Sequence, residues 1–103
     1  MKIKMERGEV HHNNGEDTRY IELEIGYDFN SNIKITVRKY PKNTHFRVYD
    51  NGEDNSMKVI VPNEKFDILE WMENASHNYH LMFSQNQMLE IMKYGKALSA
   101  TKP

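Results

Sequence analysis

The stretch Ile21-Glu22-Leu23-Glu24-Ile25-Gly26-Tyr27-Asp28-Phe29-Asn30-Ser31-Asn32-Ile33-Lys34-Ile35-Thr36-Val37-Arg38 decides the fold. Ile21, Leu23, Ile25, Tyr27 and Phe29 alternate with charged residues, and Ile33, Ile35 and Val37 do the same after a break. A period of two is that of a strand with one face buried. The break itself, Asn30-Ser31-Asn32, is turn chemistry, because these short polar side chains bond to nearby backbone. The stretch therefore reads as a hairpin. Closed at that turn, it sets Phe29 opposite Ile33, Tyr27 opposite Ile35 and Ile25 opposite Val37, all facing inward. The same register sets Asp28 opposite Lys34 and Glu24 opposite Arg38 on the outer face, where opposed charges contribute a few tenths to ~1 kcal/mol per pair.

The pattern extends in both directions. Met1, Ile3 and Met5 alternate with Lys2, Lys4 and Glu6, so a strand over 1–10 precedes one over 19–29. Tyr40-Pro41-Lys42-Asn43 is a second turn, after which Phe46 and Val48 alternate with His45, Arg47 and Tyr49. Asp50-Asn51-Gly52-Glu53-Asp54-Asn55 reads as a longer solvated loop before a strand carrying Met57, Val59 and Val61. It lacks the pattern of a twelve-residue calcium loop.

The period then changes. Asn63 is placed to cap a helix bearing Phe66, Ile68, Leu69, Trp71, Met72 and Ala75, ending at Ser76-His77-Asn78. Tyr79-His80-Leu81-Met82-Phe83 fits either a short strand or a buried connector. Ser84 and Gln87 form a capping box for a second helix with Met88, Leu89, Ile91, Met92 and Leu98, weakened near its end by Gly95. Residues 101–103 are expected to fray. The prediction is an α+β domain over residues 1–100: an antiparallel meander of about five strands followed by two C-terminal helices packed on one sheet face.

Composition excludes several functions. Cysteine is absent from the 103 residues, which removes disulfides, iron–sulfur clusters, thiol nucleophiles and cysteine-bound zinc. No run is apolar and long enough for a membrane span, and the first residues lack a signal-peptide core, so a cytoplasmic location is expected. The net charge of -1 gives no global attraction to nucleic acid and no acidic excess for mimicking it. Abundant Asn, with Lys exceeding Arg, suggests a bacterial or phage source. Motifs of the nucleophile elbow, the phosphate loop, the dinucleotide fingerprint and the His-Glu-x-x-His metalloprotease are all missing, so no enzyme is expected.

Two surfaces are candidates. The outer face of strands three to five gathers Lys34, Arg38, Tyr40, His45, Arg47, Tyr49 and Lys58, with Lys58 expected beside Tyr49. Cations that follow phosphates and rings that stack on bases are what single-stranded nucleic acid requires. Exposed strands also favour Tyr, Lys and Arg for reasons of propensity alone. The second surface is helical: Trp71, Met72, Met88, Met92 and Tyr94 are residue types enriched at interface centres, although a lone Trp usually packs in the core.

His11-His12-Asn13-Asn14-Gly15-Glu16-Asp17 reads as a loop tip and not a metal site, since a flexible polar tip offers ligands no rigid support. His77 and His80 have His-x-x-His spacing without acidic neighbours. The expectation is a small non-enzymatic binding protein, an accessory or inhibitory factor with a protein partner or a second copy of itself. Single-stranded nucleic-acid binding on the sheet face is the alternative. No cofactor, metal or small-molecule substrate is expected.

Overall fold

The computed structural model describes every residue except Gly52, and for residues 53–56 the backbone alone. The chain runs β1 (Lys2–His11), β2 (Asp17–Gly26), β3 (Ile33–Lys39), β4 (Asn43–Asp50) and β5 (Glu53–Pro62), then a 3-10 turn (Asn63–Lys65), α1 (Ile68–Tyr79) and α2 (Gln85–Ala100). The strands form one antiparallel sheet in sequence order, followed by the two helices, as predicted from the alternation. One face of the sheet, carrying Ile21, Leu23, Ile25, Ile33, Ile35, Val37, Phe46 and Val48, packs on Ile68, Met72, Ala75, Ile91 and Leu98 of the helices. No helix is long and apolar enough to cross a membrane.

The first hairpin differs from expectation. His11 and Asp17 are a paired position of the ladder, so the strands continue into the histidine segment and only 12–16 form the tip. That tip is closed by His12 N–H donating to the Glu16 carbonyl at 2.9 Å and Gly15 N–H to the His12 carbonyl at 3.0 Å.

The deciding hairpin keeps its faces but not its register. Ile25 pairs with Ile35, Leu23 with Val37 and Glu22 with Arg38, a slip of two residues from the predicted pairing. A slip of two leaves every side chain on its own face and changes only its partner. Its cause is the length of the connection. Strand β2 stops at Gly26 because Tyr27 and Asp28 are held elsewhere. The Tyr27 ring lies 5.3 Å from Phe83 and its hydroxyl accepts from the Met82 N–H at 2.7 Å. Asp28 accepts from Gln87 Nε2 at 2.9 Å and pairs with the Met1 amine. Phe29, expected inside, is 77% exposed.

Other corrections follow from single contacts. Asn63 is not a helix cap: its Oδ1 accepts from Thr44 Oγ1 and its Nδ2 donates to the Tyr40 carbonyl, both at 2.7 Å. The cap of α1 is Asp67, which accepts from Leu69 N–H at 3.0 Å. Residues 81–84 form no strand, and with His80 in the left-handed region (φ 54°) they connect the helices, Leu81 being buried. The Ser84–Gln87 capping box is present. The loop expected over Asp50 to Asn55 shortens, since β5 begins at Glu53; Gly52 and the side chains of 53–56 lie outside the described residues. At the chain's end, the Lys39 ammonium donates to the carbonyls of Leu98, Ser99 and Thr101, and Arg7 to that of Lys102. A cation on the last carbonyls of α2 complements the helix dipole.

Candidate nucleic-acid interface

The helices take one face of the sheet and leave the other to solvent. On that open face the pairing builds rows across the strands. Lys2, Gly26, Lys34 and Tyr49 form one row. Lys4, Glu24, Thr36, Arg47 and Lys58 form the next. Glu6, Glu22, Arg38, His45 and Ile60 form the third, with Tyr20 and Tyr40 at its end. Over β1 and β2 the face mixes Glu6, Glu22 and Glu24 with Lys2 and Lys4, and over β3 to β5 its charged side chains among the described residues are basic. Lys58 stands across from Arg47, not beside Tyr49, because β5 begins at Glu53 and the connection is shorter than the expected loop. Thr36, in the middle row, is 7% exposed and forms a low floor between the taller side chains.

Arg38 is fully engaged within the protein. Its Nε and Nη2 donate to Glu22 Oε2 at 3.0 and 2.6 Å, and Nη1 donates to the Tyr40 hydroxyl at 3.3 Å. The guanidinium also stacks on the Tyr20 ring at 4.0 Å. Partial burial disfavours its charge, but the bonds to Tyr40 and Glu22 and the Glu22 charge outweigh this and raise its pKa. Arg38 thus organises the face and is not free to bind. Glu22 and Tyr20, which complete this cage, share the outward parity of Arg38 in the sequence; the two-residue slip hid the contact.

Arg47 and Lys58 are different. Neither forms an ion pair among the described residues, and Arg47 Nε is buried with no hydrogen-bond partner. Such an orphan donor costs stability. His45 Nδ1 is likewise buried and unpartnered. Burial lowers the His45 pKa, and the charges of Arg47, Lys58 and Arg38 lower it further. Lys34 lies 3.6 Å from Glu24 and over the Tyr49 ring at 5.1 Å. The rings of Tyr20, Tyr40 and His45 form a chain, with centroids 5.6 and 4.6 Å apart.

The helical candidates are mostly core. Met72 is 0% exposed, which removes it from any partner surface. Trp71 packs against Phe46 at 6.2 Å, and Met88, Met92 and Tyr94 are half-buried. Among the described residues the exposed large apolar side chains are Leu89 on α2, Met5 and Ile60 on the sheet, and Phe29 and Met82 in connections. Phe29 and Met82, the latter 74% exposed, share the end of the molecule where Tyr27 bridges the β2–β3 and α1–α2 connections. Neither was singled out in the sequence, since Phe29 obeys the inward alternation.

At the opposite end, Glu9, His11 and Asp17 bring potential ligand atoms within 4.8 Å of one another, all exposed. His11 Nδ1 is 2.6 Å from Asp17 Oδ1, and this bond raises the His11 pKa. Glu9 also lies 3.5 Å from Arg19 Nε. His12 projects to the other face, 2.8 Å from Thr18 Oγ1, while His77 and His80 are exposed near the end of α1.

The chain matches no family model, and comparisons with curated proteins and with solved structures found no match. Function therefore rests on the geometry of these surfaces alone.

Proposed function

We propose that this protein binds single-stranded nucleic acid on the open face of β3 to β5, without catalysing a reaction on it. The observation that carries this reading is Arg47 standing across from Lys58, neither in an ion pair among the described residues, beside the Tyr20–Tyr40–His45 chain of rings in a protein with no net positive charge. An approaching phosphate meets the charges of Arg47 and Lys58, which form no ion pair among the described residues, and unpaired bases supply faces for Tyr49 and the Tyr40–His45 pair. Duplex offers its bases only along groove edges, so the single strand is favoured.

The test is fluorescence anisotropy with labelled single-stranded DNA, single-stranded RNA and duplex. Wild type is expected to bind the single strands, and the Arg47→Ala/Lys58→Ala variant to bind them about tenfold or more weakly at an unchanged melting temperature. Equal binding by the double variant would remove the sheet face from the reading. A protein-binding accessory role is the second reading, favoured by the exposure of Phe29 and Met82, both joined to Tyr27. It predicts that Phe29→Ser/Met82→Ser abolishes partner capture, while Arg47 and Lys58 are dispensable.

A further inference from the structure

Where the β1–β2 hairpin passes the β3–β4 turn, a cleft of about 470 Å³ opens on the same face of the sheet. Val10, His12 and Thr18 line one side, and Tyr40, Lys42 and His45 with the rest of the turn line the other. This volume is within the range of small-ligand sites.

Both walls are held in place before any ligand arrives. On one side His12 bonds to Thr18, and the hairpin tip is closed by its two backbone bonds. On the other, Tyr40 N–H donates to the Asn43 carbonyl at 2.8 Å, and Asn63 grips the turn from beneath through the carbonyls of Tyr40 and Lys42. Preorganised walls reduce the ordering cost of binding.

The lining has a definite chemistry. No carboxylate contributes to it. Lys42 is exposed and forms no side-chain hydrogen bond or ion pair among the described residues, and two imidazoles flank the space. The Tyr40 and His45 rings, 4.6 Å apart, give a planar ligand an aromatic wall. A purely apolar ligand would leave the lysine and the imidazoles without a role, and a cation would be repelled. A flat ring joined to an anion uses all of them.

We infer that this cleft holds a single nucleotide, with its base against Tyr40 and His45 and its phosphate at Lys42 and His12. The choice of a base as the flat ring rests on the single-strand reading, because His45 belongs to both the cleft and the basic rows. The phosphate site follows from the lining alone.

The experiment is an amide NMR titration of the protein with adenosine and uridine 5′-monophosphates. Inorganic phosphate and the free nucleosides serve as separate probes, and oligonucleotide anisotropy is measured in parallel. The nucleotides are expected to shift the amides of Val10, Thr18 and Asn43 saturably, with phosphate or nucleoside alone at least about tenfold weaker. Lys42→Ala, at an exposed position with no side-chain partner among the described residues, is expected to lose about tenfold in nucleotide affinity with its spectrum otherwise intact. Lys93→Ala, the same loss of charge on the helical side, is expected to change nothing.

Oligonucleotide binding with no nucleotide shifts at the cleft would overturn the cleft and leave the sheet face standing. Inorganic phosphate matching the nucleotides would overturn base recognition. Nucleotide binding in the cleft without oligonucleotide binding would support the pocket and remove the strand-long interface.

Discussion

Arg38 and Arg47 carry the same charge two strand positions apart on neighbouring strands, and the structure gives them opposite roles. Arg38 is neutralised by Glu22 and held between Tyr20 and Tyr40, whereas Arg47 keeps a buried donor without a partner. His45, set beside both arms of this arrangement, is the residue that reports the local field. Burial and then three cations lower its pKa, whereas the hydrogen bond to Asp17 raises that of His11 above 6.5. In an NMR titration His45 is therefore expected to protonate below pH 6.5 and His11 above it; coincident midpoints would contradict the geometry. The stability consequences have opposite signs. As pH falls below 6.5 the unfolded chain protonates His45 before the folded one does, so that contribution to stability is lost on acidification. For His11 the contribution is present below 6.5 and is lost as pH rises through its higher folded value. Bound single strand, by adding negative charge beside His45, is expected to move its midpoint upward.

Elements meet through close approaches that the sequence marks only as glycine. Gly95, which reads as a weak point in α2, is buried against α1: a Cβ there would lie 2.7 Å from Ile68 Cγ2. Alanine at this site would gain about 0.5–1 kcal/mol in helix propensity. It would lose about 1–3 kcal/mol to overpacking, because Ile68 is itself in the core. Gly95→Ala is expected to lower the urea midpoint, and a rise would mean that α1 shifts away freely. Gly8 has the corresponding role in the sheet. It lies under the Tyr20 ring, which leaves that ring room to lie against Arg38. The helix cap, by contrast, depends on the chain path: Asn63 has the right side chain, but the turn beneath Tyr40 takes it, and Asp67 caps α1 instead.

At the scale of the whole molecule, charge is segregated rather than absent. The face over β1 and β2 carries Glu6, Glu22 and Glu24 against Lys2 and Lys4, while the face over β3 to β5 carries Lys34, Arg47 and Lys58, whose one ion-pair partner among the described residues is Glu24 at Lys34. On the proposed reading an anionic strand is expected to keep to the β3–β5 half of the sheet. With about three phosphates neutralised, log affinity is expected to fall with log salt at a slope of about -2, shallower than for a strongly basic binder. A slope near zero, with binding retained, would indicate stacking alone. Of the helix-borne apolar residues, Met72 is buried and Trp71 lies against Phe46, while Leu89 is exposed on α2.

The sequence by itself determined the five strands, their order, the inward and outward faces and the second helix with its capping box. Each of these depends on periodicity or on contacts a few residues apart. The β3–β4 register was legible for the same reason: Tyr40 to Asn43 is a tight turn, and Arg38–His45, Thr36–Arg47 and Lys34–Tyr49 follow from counting. The tertiary structure decided the β2–β3 register, because Tyr27 and Asp28 are drawn to residues about sixty positions away and lengthen the connection. It also decided which acid holds Arg38, Glu22 in place of Glu24, since a slip of two preserves the faces and exchanges the partners. The cleft is of the same kind: its walls are more than twenty residues apart in the chain, and only the folded sheet brings His12 and Lys42 to one space.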